Sequence, residues 1–152
     1  MVALEIRKFP NYPLRFVLDY ATAGSSGIDL FSADEAEIQP MSVAKIHTGT
    51  GIKLAKGYEA QIRSRSGLAL KHQVIVLNSP ATIDNDYDGE ICVILYNLGS
   101  EPYRINIGDK IAQLCVVRYE RCVIDSGLED ELCRHNNPPK TRGVGGFGST
   151  GF

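Results

Sequence analysis

Apolar and polar residues alternate over short segments of this chain, with the period of two that is typical of β-strands. In segment 57–63, Tyr58, Ala60 and Ile62 share one face, while charged and amide side chains occupy the other. Because successive side chains of a strand point to opposite faces, this segment is predicted to be a half-buried strand. Turn-forming residues recur between such segments, at 23–27, 50–51, 56–57, 85–89, 99–100 and 107–109. Many short strands, with only 66–72 and 126–133 even briefly helical, indicate an all-β fold: an antiparallel sandwich, jelly roll or barrel.

Two predicted strands carry further information. Segment 90–97 is apolar on both faces, with Ile91, Val93 and Leu95 on one and Cys92, Ile94 and Tyr96 on the other. Such a strand must be covered on both faces, by a second sheet or by another subunit. In segment 110–119, Gln113 shares a face with apolar residues. A buried amide needs hydrogen-bond partners, and either a structural partner or a ligand would supply them.

Length and charge restrict the class of protein. A chain of 152 residues fits one domain with a substantial core. The net charge of −2 gives no general attraction to polyanions, so we expect neither direct nucleic-acid binding nor membrane contact. No apolar run approaches the ~20 residues that span a membrane. Residues 1–13 lack the continuous apolar segment of a signal peptide, so we expect a cytoplasmic location.

The cysteines fit the same compartment. Cys92, Cys115, Cys122 and Cys133 form no C-x-x-C pair and have no histidine at zinc-ligand spacing. Three of them sit among apolar neighbours. We therefore expect reduced and mostly packed thiols, as in a cytoplasmic protein.

The C-terminal end is unusually rich in glycine, with five glycines in the eleven positions from Arg142 to Phe152. Glycine loses the most backbone freedom on ordering, so this tail is not expected to hold a helix or a strand. Its backbone N–H groups, the hydroxyls of Ser149 and Thr150, and the Arg142 guanidinium could close on a phosphate, while Phe147 could stack on a base. The tail is either such a strap over a nucleotide or a disordered terminus. Residues 136–139, Asn-Asn-Pro-Pro, separate a body of residues 1–135 from this arm of residues 136–152.

Three internal segments each allow a functional and a structural interpretation. Segment 65–68, Arg-Ser-Gly-Leu, could contact phosphate, or it could begin a helix that Ser66 caps. Segment 82–90 holds three aspartates in five positions around Tyr87, which suits a solvated turn or a hairpin that presents a carboxylate base and an aromatic wall. Asp29 lies among apolar residues, and a buried charge needs a partner, for which a bound cation would serve.

Together these segments resemble one family, the homotrimeric dUTP pyrophosphatases (dUTPases). The matching segments follow in the family's order and approximate spacing: 21–30, 65–69, 78–90, 108–113 and 142–151. The resemblance implies a jelly-roll or distorted β-barrel fold and a homotrimer whose three active sites each draw on all three chains. It implies that the flexible C-terminal arm closes over a neighbouring active site.

The reaction implied by the resemblance is the Mg²⁺-dependent hydrolysis of dUTP to dUMP and pyrophosphate, by attack of water on the α-phosphorus. This activity keeps uracil out of DNA and supplies dUMP for thymidylate synthesis. Asp84 matches the family's water-activating carboxylate, and Tyr87 matches the ring that packs under the deoxyribose and excludes a 2′-hydroxyl. Asp29 matches the carboxylate that supports Mg²⁺ through a coordinated water.

The other substrate-binding residues also follow from the resemblance. The hairpin backbone at Ala81, Thr82 and Ile83 matches the strip that reads uracil, and Asn78 matches a side chain that helps. In the body, the family's phosphate contacts are matched by Arg65, Ser66, Gly67 and Gln113. In the arm, Phe147 matches the ring that stacks on uracil. The family's γ-phosphate donors are matched by Arg142, Gly148, Ser149 and Thr150.

Three positions depart from the commoner family pattern. Ser64 stands where many members have proline, Ala81 replaces a frequent glycine, and Ile107 stands where arginine is often found. None of the three removes a catalytic group. The Ala81 change places a Cβ next to the base.

Two other functions remain to be weighed. dCTP deaminases share the fold but carry a catalytic glutamate at the position of Ile94, which cannot shuttle protons. A nucleotide-gated interaction protein is a hypothesis of a different class, although the chain has no appended domain or long insertion to support it.

Overall fold

Antiparallel β-strands are the main secondary structure of the described residues. The computed structural model describes residues 2–123 and 143–146. The elements in chain order are β1 (Leu4–Lys8), β2 (Gly27–Phe31), β3 (Ala36–Ile38), β4 (Val43–His47), β5 (Thr50–Leu54), β6 (Tyr58–Arg63), α1 (Ser66–His72), β7 (Val74–Val76), β8 (Ala81–Ile83), β9 (Cys92–Asn97), β10 (Tyr103–Ile105) and β11 (Lys110–Arg118). The all-β prediction is confirmed, and so is the short helix at 66–72. Segment 126–133 and the boundary between residues 135 and 136 lie outside the described residues.

The strands form four small sheets, in the orders β1-β5, β10-β3, β2-β11-β6-β8 and β4-β9-β7. Every pairing between these strands is antiparallel. Five of the residues that the sequence analysis selected lie on the four-stranded sheet: Asp29, Ala81, Thr82, Ile83 and Gln113. Its register places Gln113 of β11 opposite Asp29 of β2, and Thr82 of β8 opposite Gln61 of β6.

The core is a continuous cluster of aliphatic side chains drawn from all four sheets. Its most buried members include Leu30, Ile38, Ile46, Ile52, Ile62, Leu95, Ile105 and Ile111. Each such side chain contributes about 1.5–3 kcal/mol on burial, so the cluster fixes which face of each strand points inward. The period-two pattern of segment 57–63 is confirmed, because Ala60 and Ile62 are buried in this core and Tyr58 packs against it.

Strand β9 is covered unequally on its two faces. Val93 and Leu95 are buried in the core, whereas Cys92, Ile94 and Tyr96 on the other face are half-buried. Cys92 and Ile94 border a cavity described below. The expectation of two covered faces is therefore met within this chain on one face, and in part on the other.

The turn predicted at 50–51 is wrong, because Thr50 and Gly51 lie inside β5. The chain turns one or two residues earlier, at Gly49, whose φ of 64° lies in the left-handed region that favours glycine. Glycine at position 51 instead leaves space for a neighbouring side chain, because a Cβ there would lie 2.8 Å from the Phe9 ring.

The cysteines are packed less uniformly than expected. Cys115 is buried and Cys92 is half-buried, but Cys122 is exposed. Cys133 lies outside the described residues. In the part of the chain that the structure describes, no helix is long and apolar enough to cross a membrane.

Candidate active site

A cavity of about 240 Å³ lies between β8, β9 and the turn that follows β8. Its lining residues are Ile62, Asn78, Ala81, Thr82, Ile83, Tyr87, Glu90, Ile91, Cys92, Ile94 and Gly146. Most of the wall is aliphatic or aromatic, with a few polar groups, which is the usual composition of a small-molecule site. The volume is below the roughly 300–1,000 Å³ of sites that enclose a complete drug-sized ligand, so the cavity suits a single ring. The structure thus brings Tyr87 together with Asn78, Ala81, Thr82 and Ile83, the residues predicted to read the base.

The backbone of β8 is available to read a ligand. Strand β8 pairs with β6 on one side, where Ala81 lies opposite Ile62 and Ile83 opposite Ala60. It is the last strand of its sheet, so among the described residues no strand pairs with its outer side. An edge strand presents a row of N–H donors and C=O acceptors. Those groups can recognise the polar edge of a planar ring in the cavity.

The ring of Tyr87 is held in one place by its own turn. Its Oη donates to the Glu90 carbonyl oxygen at 2.8 Å, and its backbone N–H donates to the Asp84 carbonyl oxygen at 3.1 Å. Gly89 lies against the ring, since a Cβ there would approach Tyr87 Cζ to 2.6 Å. Burial, with smaller effects of Cys92 and Glu90, raises the pKa of Tyr87, so the phenol is neutral at physiological pH. Tyr87 is therefore a fixed, uncharged wall.

Asp84 is the first residue after β8 and is half-buried. Its backbone carbonyl oxygen accepts the hydrogen bond from Tyr87 N–H that closes the turn, so the backbone of Asp84 is fixed relative to the Tyr87 ring. Asn78 lines the cavity with an exposed side chain. The hairpin predicted at 82–90 is thus an ordered turn with the carboxylate and the ring at its two ends.

A second group of polar residues clusters around Asp29 of β2, in the four-stranded sheet. Arg65 Nε lies 3.0 Å from Asp29 Oδ1, and Lys110 Nζ lies 2.7 Å from Asp29 Oδ2. Arg65 Nη1 also donates to the Lys110 carbonyl oxygen at 2.8 Å. The partner that Asp29 requires is therefore supplied by two side-chain cations of the same chain. Two positive charges and one negative charge leave a net charge of +1, which favours an anion.

Gln113 is tied to the same cluster. Its Nε2 donates to the Ser64 carbonyl oxygen at 3.0 Å, just before Arg65. Gly27 makes room for its amide, because a Cβ there would lie 2.5 Å from Gln113 Oε1. For the Nε2 donor of Gln113, the hydrogen-bond partner is therefore a group of the chain itself.

Ser66 and Gly67 open helix α1 and are both exposed. The reading in which Ser66 caps the helix is wrong, because the N-cap residue is Arg65 and makes no side-chain capping bond. Ser66 already has helical geometry, so its hydroxyl does not occupy the cap position. A Cβ added at Gly67 would meet no atom of this chain within 4 Å. Among the described residues, no contact requires glycine there, so the position is open to the approach of a ligand or of another subunit.

The last described segment of the chain, residues 143–146, reaches the cavity. Gly143 forms a parallel bridge with Tyr87, and Asp88 N–H donates to the Gly143 carbonyl oxygen at 2.7 Å. Gly146 lines the cavity beside the Tyr87 ring. The arm residues predicted to bind substrate lie outside the described residues; these are Arg142, Phe147, Gly148, Ser149 and Thr150.

The three departures from the family pattern have different surroundings. Ser64 is built into the loop, since its Oγ accepts from Val76 N–H at 2.9 Å and its own N–H donates to Ser79 Oγ at 3.3 Å. Ala81 is half-buried, lines the cavity and packs against the core. Ile107 is exposed, and no contact in the described residues explains its choice.

Sequence reasoning missed Lys110 and Glu90. Lys110 belongs to matching segment 108–113, but its salt bridge to Asp29 depends on the pairing of β2 with β11. Glu90 lines the cavity, and its carboxylate accepts hydrogen bonds from Asn11 Nδ2 at 2.9 Å, Gly49 N–H at 2.7 Å and His47 Nδ1 at 2.9 Å. Burial opposes ionisation of Glu90, but these three hydrogen bonds outweigh it and lower the pKa. Glu90 is therefore a fixed carboxylate rather than a proton shuttle, and Ile94, which also faces the cavity, is aliphatic.

Comparison with known proteins agrees with this geometry. The sequence profile of the family described as dUTPase matches residues 16–151. Deoxyuridine 5′-triphosphate nucleotidohydrolase from Wolinella succinogenes is 46% identical over 97% of this chain and 95% of its own length. The enzyme of the same name from Helicobacter pylori is 48% identical over 97% of this chain and 96% of its own.

Solved structures support the same fold at lower identity. The dUTPase of phage phi11 of Staphylococcus aureus superposes with a TM-score of 0.73 and 23% identity, covering 84% of this chain and 97% of its own. The dUTPase from Streptococcus mutans gives a TM-score of 0.70 and 21% identity, covering 79% of this chain and 98% of its own. The predicted dUTPase-like β fold is confirmed by these superpositions. On the family profile and the near-full-length relatives together, the chain belongs to the dUTPase family.

Proposed function

We propose that this chain is a dUTP diphosphatase, which hydrolyses dUTP to dUMP and pyrophosphate with Mg²⁺, through a water that Asp84 activates for attack on the α-phosphorus. The observation that carries the proposal is the cavity bounded by the β8 edge and Tyr87. It occurs in a chain 46–48% identical to relatives named deoxyuridine 5′-triphosphate nucleotidohydrolase. In the cell, such an activity keeps uracil out of DNA and supplies dUMP for thymidylate synthesis in the cytoplasm.

Base selection follows from the edge strand. The backbone groups of Ala81, Thr82 and Ile83 present a fixed pattern of donors and acceptors, and Asn78 adds a side-chain amide. Uracil and cytosine differ in that pattern along one edge, and a site built on hydrogen bonds rejects the wrong edge far better than an apolar pocket does. Thymine differs by a methyl group, which a cavity of about 240 Å³ can reject sterically.

Sugar selection falls to Tyr87. Its ring is fixed by the hydrogen bond to the Glu90 carbonyl oxygen and by the close approach of Gly89. A ring that cannot retreat leaves no room for a 2′-hydroxyl beneath the sugar. The chain thus selects deoxyribose by excluded volume.

The triphosphate requires positive charge, since a nucleoside triphosphate carries about four negative charges over its three phosphates. Arg65 and Lys110 supply two, only partly offset by Asp29. Gln113 and the exposed start of α1 at Ser66 and Gly67 complete the body's phosphate contacts. Arg142, Gly148, Ser149 and Thr150 of the arm are proposed to bind the γ-phosphate, while Phe147 stacks on uracil.

The Asp29 carboxylate fits Mg²⁺ in a supporting role. Mg²⁺ favours phosphate oxygens and retained waters, with one or two carboxylates. Each oxygen of Asp29 already contacts a cation, so an accepting bond to a metal-bound water suits it better than direct ligation. When bound, Mg²⁺ would neutralise phosphate charge and polarise the reacting phosphoryl group.

The nucleophile is assigned to water held by Asp84. The carboxylate accepts the water's proton as the oxygen attacks the α-phosphorus, and pyrophosphate leaves. This role needs an ionised carboxylate within hydrogen-bond reach of the water. The fixed turn between Asp84 and Tyr87 supports it, because it holds the base at a constant position relative to the sugar.

A homotrimer with shared sites is the proposed assembly. The outer face of β9 is only half-buried, and Leu70 in the second turn of α1 is 84% exposed. A subunit contact over this face would bury apolar surface that a single chain leaves partly exposed. In the proposed trimer, the cavity of one subunit meets the Arg65–Asp29 cluster of a second, and the arm of a third closes over both.

Pyrophosphate release tests the activity. The protein is assayed with dUTP, dCTP, dTTP and UTP side by side, with Mg²⁺ and with chelator, and ammonia release from dCTP is followed in parallel. We expect pyrophosphate from dUTP alone and only with Mg²⁺. Equal turnover of dTTP or UTP, or ammonia from dCTP, would contradict the proposal.

A further inference from the structure

Three side chains of different chemistry converge beside the cavity, outside the proposed catalytic residues. His47 of β4 and Cys92 of β9 lie directly opposite each other in the sheet. Glu90 precedes Cys92 by two residues, which turns it to the same face. One ligand atom from each of His47, Glu90 and Cys92 lies within 4.8 Å of the other two.

The spacing is close to that of a tetrahedral metal site. His47 Nδ1 lies 3.5 Å from Cys92 Sγ and 2.9 Å from Glu90 Oε2. Zinc bonds of about 2.0–2.3 Å in a tetrahedron place neighbouring ligand atoms roughly 3.3–3.7 Å apart. A small opening of the His47–Glu90 pair would therefore admit the ion without moving a strand.

We propose that His47, Glu90 and Cys92 form a zinc site, with water as the fourth ligand. The ligand set selects the metal: imidazole and thiolate suit Zn²⁺, whereas Mg²⁺ prefers oxygen ligands alone. The site is thus separate in position and in chemistry from the Asp29 region proposed for Mg²⁺. Three protein ligands and one open position are typical of zinc sites that are not purely structural.

The carboxylate is already oriented for this role. Glu90 Oε1 accepts from Asn11 Nδ2 and Gly49 N–H, which turns Oε2 towards His47 and Cys92. Hydrogen bonds that hold a ligand in this way raise metal affinity in known sites. The backbone of His47 is held as well, because its N–H donates to Asp34 Oδ2 at 2.8 Å.

The charges around the site favour a cation. The charged groups that act electrostatically on Cys92 are two carboxylates, Glu90 and Asp34, and one ammonium group, Lys45. On binding, Zn²⁺ replaces the thiol proton of Cys92, which passes to solvent. The ion also displaces the His47 Nδ1 proton that is donated to Glu90; this proton is exchanged through solvent, and the zinc-bound ring carries one proton, on Nε2. No electrons are transferred.

Co²⁺ absorption tests the site without any substrate, so its outcome does not depend on the proposed hydrolysis. The purified full-length protein, reduced and metal-free, is titrated with Co²⁺ in excess Mg²⁺. We expect a near-ultraviolet cobalt–thiolate band, intense visible bands of four-coordinate Co²⁺, and loss of both on addition of one equivalent of Zn²⁺ per chain.

Variants locate the ligands. Cys92→Ser should abolish the thiolate band and weaken Zn²⁺ binding at least tenfold, and His47→Gln should weaken it similarly. Cys122→Ser is the matched control, because that thiol is exposed and distant in sequence from the cluster; it should keep the band. Circular dichroism checks each fold, and Glu90→Gln replaces any variant that does not fold. Absence of a thiolate band in the unmodified protein, or a band that survives Cys92→Ser, would overturn the proposal.

Discussion

The backbone N–H of Asp88 donates to the carbonyl oxygen of Gly143 at 2.7 Å, which joins the turn after β8 to the last described segment of the same chain. Gly143 also bridges to Tyr87, and three residues later Gly146 lines the cavity. The arm therefore has a docking position on its own subunit, in addition to the neighbouring site that the resemblance implies. A contact of so few backbone bonds contributes only about 1 kcal/mol, so it does not decide between the two positions.

Truncation after Lys140 should leave a stable trimer that is nearly inactive. The arm contributes no side chain to the described core, and loss of its backbone contacts should lower Tm by no more than a few degrees. In the proposed mechanism, the arm's donors and stacking ring act on the closed complex, where each preorganised donor is worth up to ~10²–10³ in turnover. Sedimentation and thermal melting measure assembly and stability, and pyrophosphate release measures turnover. A truncated protein that is monomeric or aggregated would make the arm structural.

Asp84→Asn should leave the fold intact and lower kcat by ~10²–10⁴-fold, as expected for loss of a general base. Asp86→Asn is the matched control in the same turn, since Asp86 is exposed while Asp84 is half-buried. The control should retain most of its turnover. If Asp84→Asn keeps more than half of the original activity and Asp86→Asn does not, the base is Asp86.

Tyr87→Ala should relax sugar selection more than base selection, because the ring wall under the sugar is removed. The measurement is the ratio of kcat/KM for dUTP over UTP, compared with the ratio for dUTP over dCTP. Tyr87→Phe keeps the ring but removes the hydrogen bond to the Glu90 carbonyl oxygen, so it should preserve most of the sugar preference. An unchanged dUTP/UTP ratio with a collapsed base preference would assign Tyr87 to the base instead.

Gly67→Ala should separate stability from activity. Within the chain the new methyl group meets open space, and alanine favours a helix over glycine by about 1 kcal/mol, so Tm should stay the same or rise. If a phosphate approaches this backbone, kcat/KM for dUTP should fall at least ~10-fold. Gly24→Ala, also in open space, is the control and should keep its activity. Unchanged kcat/KM in Gly67→Ala would remove Gly67 from the phosphate site.

Local pattern predicted the parts of the fold and site that depend on near neighbours in sequence. The alternation in segment 57–63 identified β6, and the turn residues at 85–89 identified the hairpin that holds Tyr87. The turn at 50–51 was misplaced because Gly51 makes room for the ring of Phe9, more than forty residues away in sequence, and does not serve a turn of its own backbone.

Pairing between distant residues could not be predicted in the same way. Asp29 contacts Lys110 because β11 pairs with β2, and it contacts Arg65 because β11 also pairs with β6, which ends just before Arg65. Composition does not encode either register. Glu90 and His47 are 43 residues apart in sequence yet lie within hydrogen-bond distance. Their cluster with Cys92 escaped a search for histidine at zinc-ligand spacing, because such a search assumes ligands close together along the chain.

Mixed trimers test whether the arm works on its own subunit or on another. Asp84→Asn and the truncation after Lys140 are each expected to be inactive alone. If one site takes its hairpin and its arm from different subunits, a working site needs the hairpin of a truncated chain and the arm of an Asp84→Asn chain. Equal, random mixing in a closed three-fold ring makes two independent choices of one half each, so about a quarter of the sites are complete.

The two mutants are unfolded, mixed, refolded and assayed for dUTP hydrolysis per site, with mixed trimers confirmed by mass. Each parent refolded alone is the control for incomplete inactivation. If the Asp88–Gly143 contact instead reflects the working position, hairpin and arm belong to one subunit, and every mixed site lacks one of them. Activity no higher than that of the two parents would therefore exclude an arm that acts on another subunit, whereas recovery near a quarter would show that the arm acts in trans.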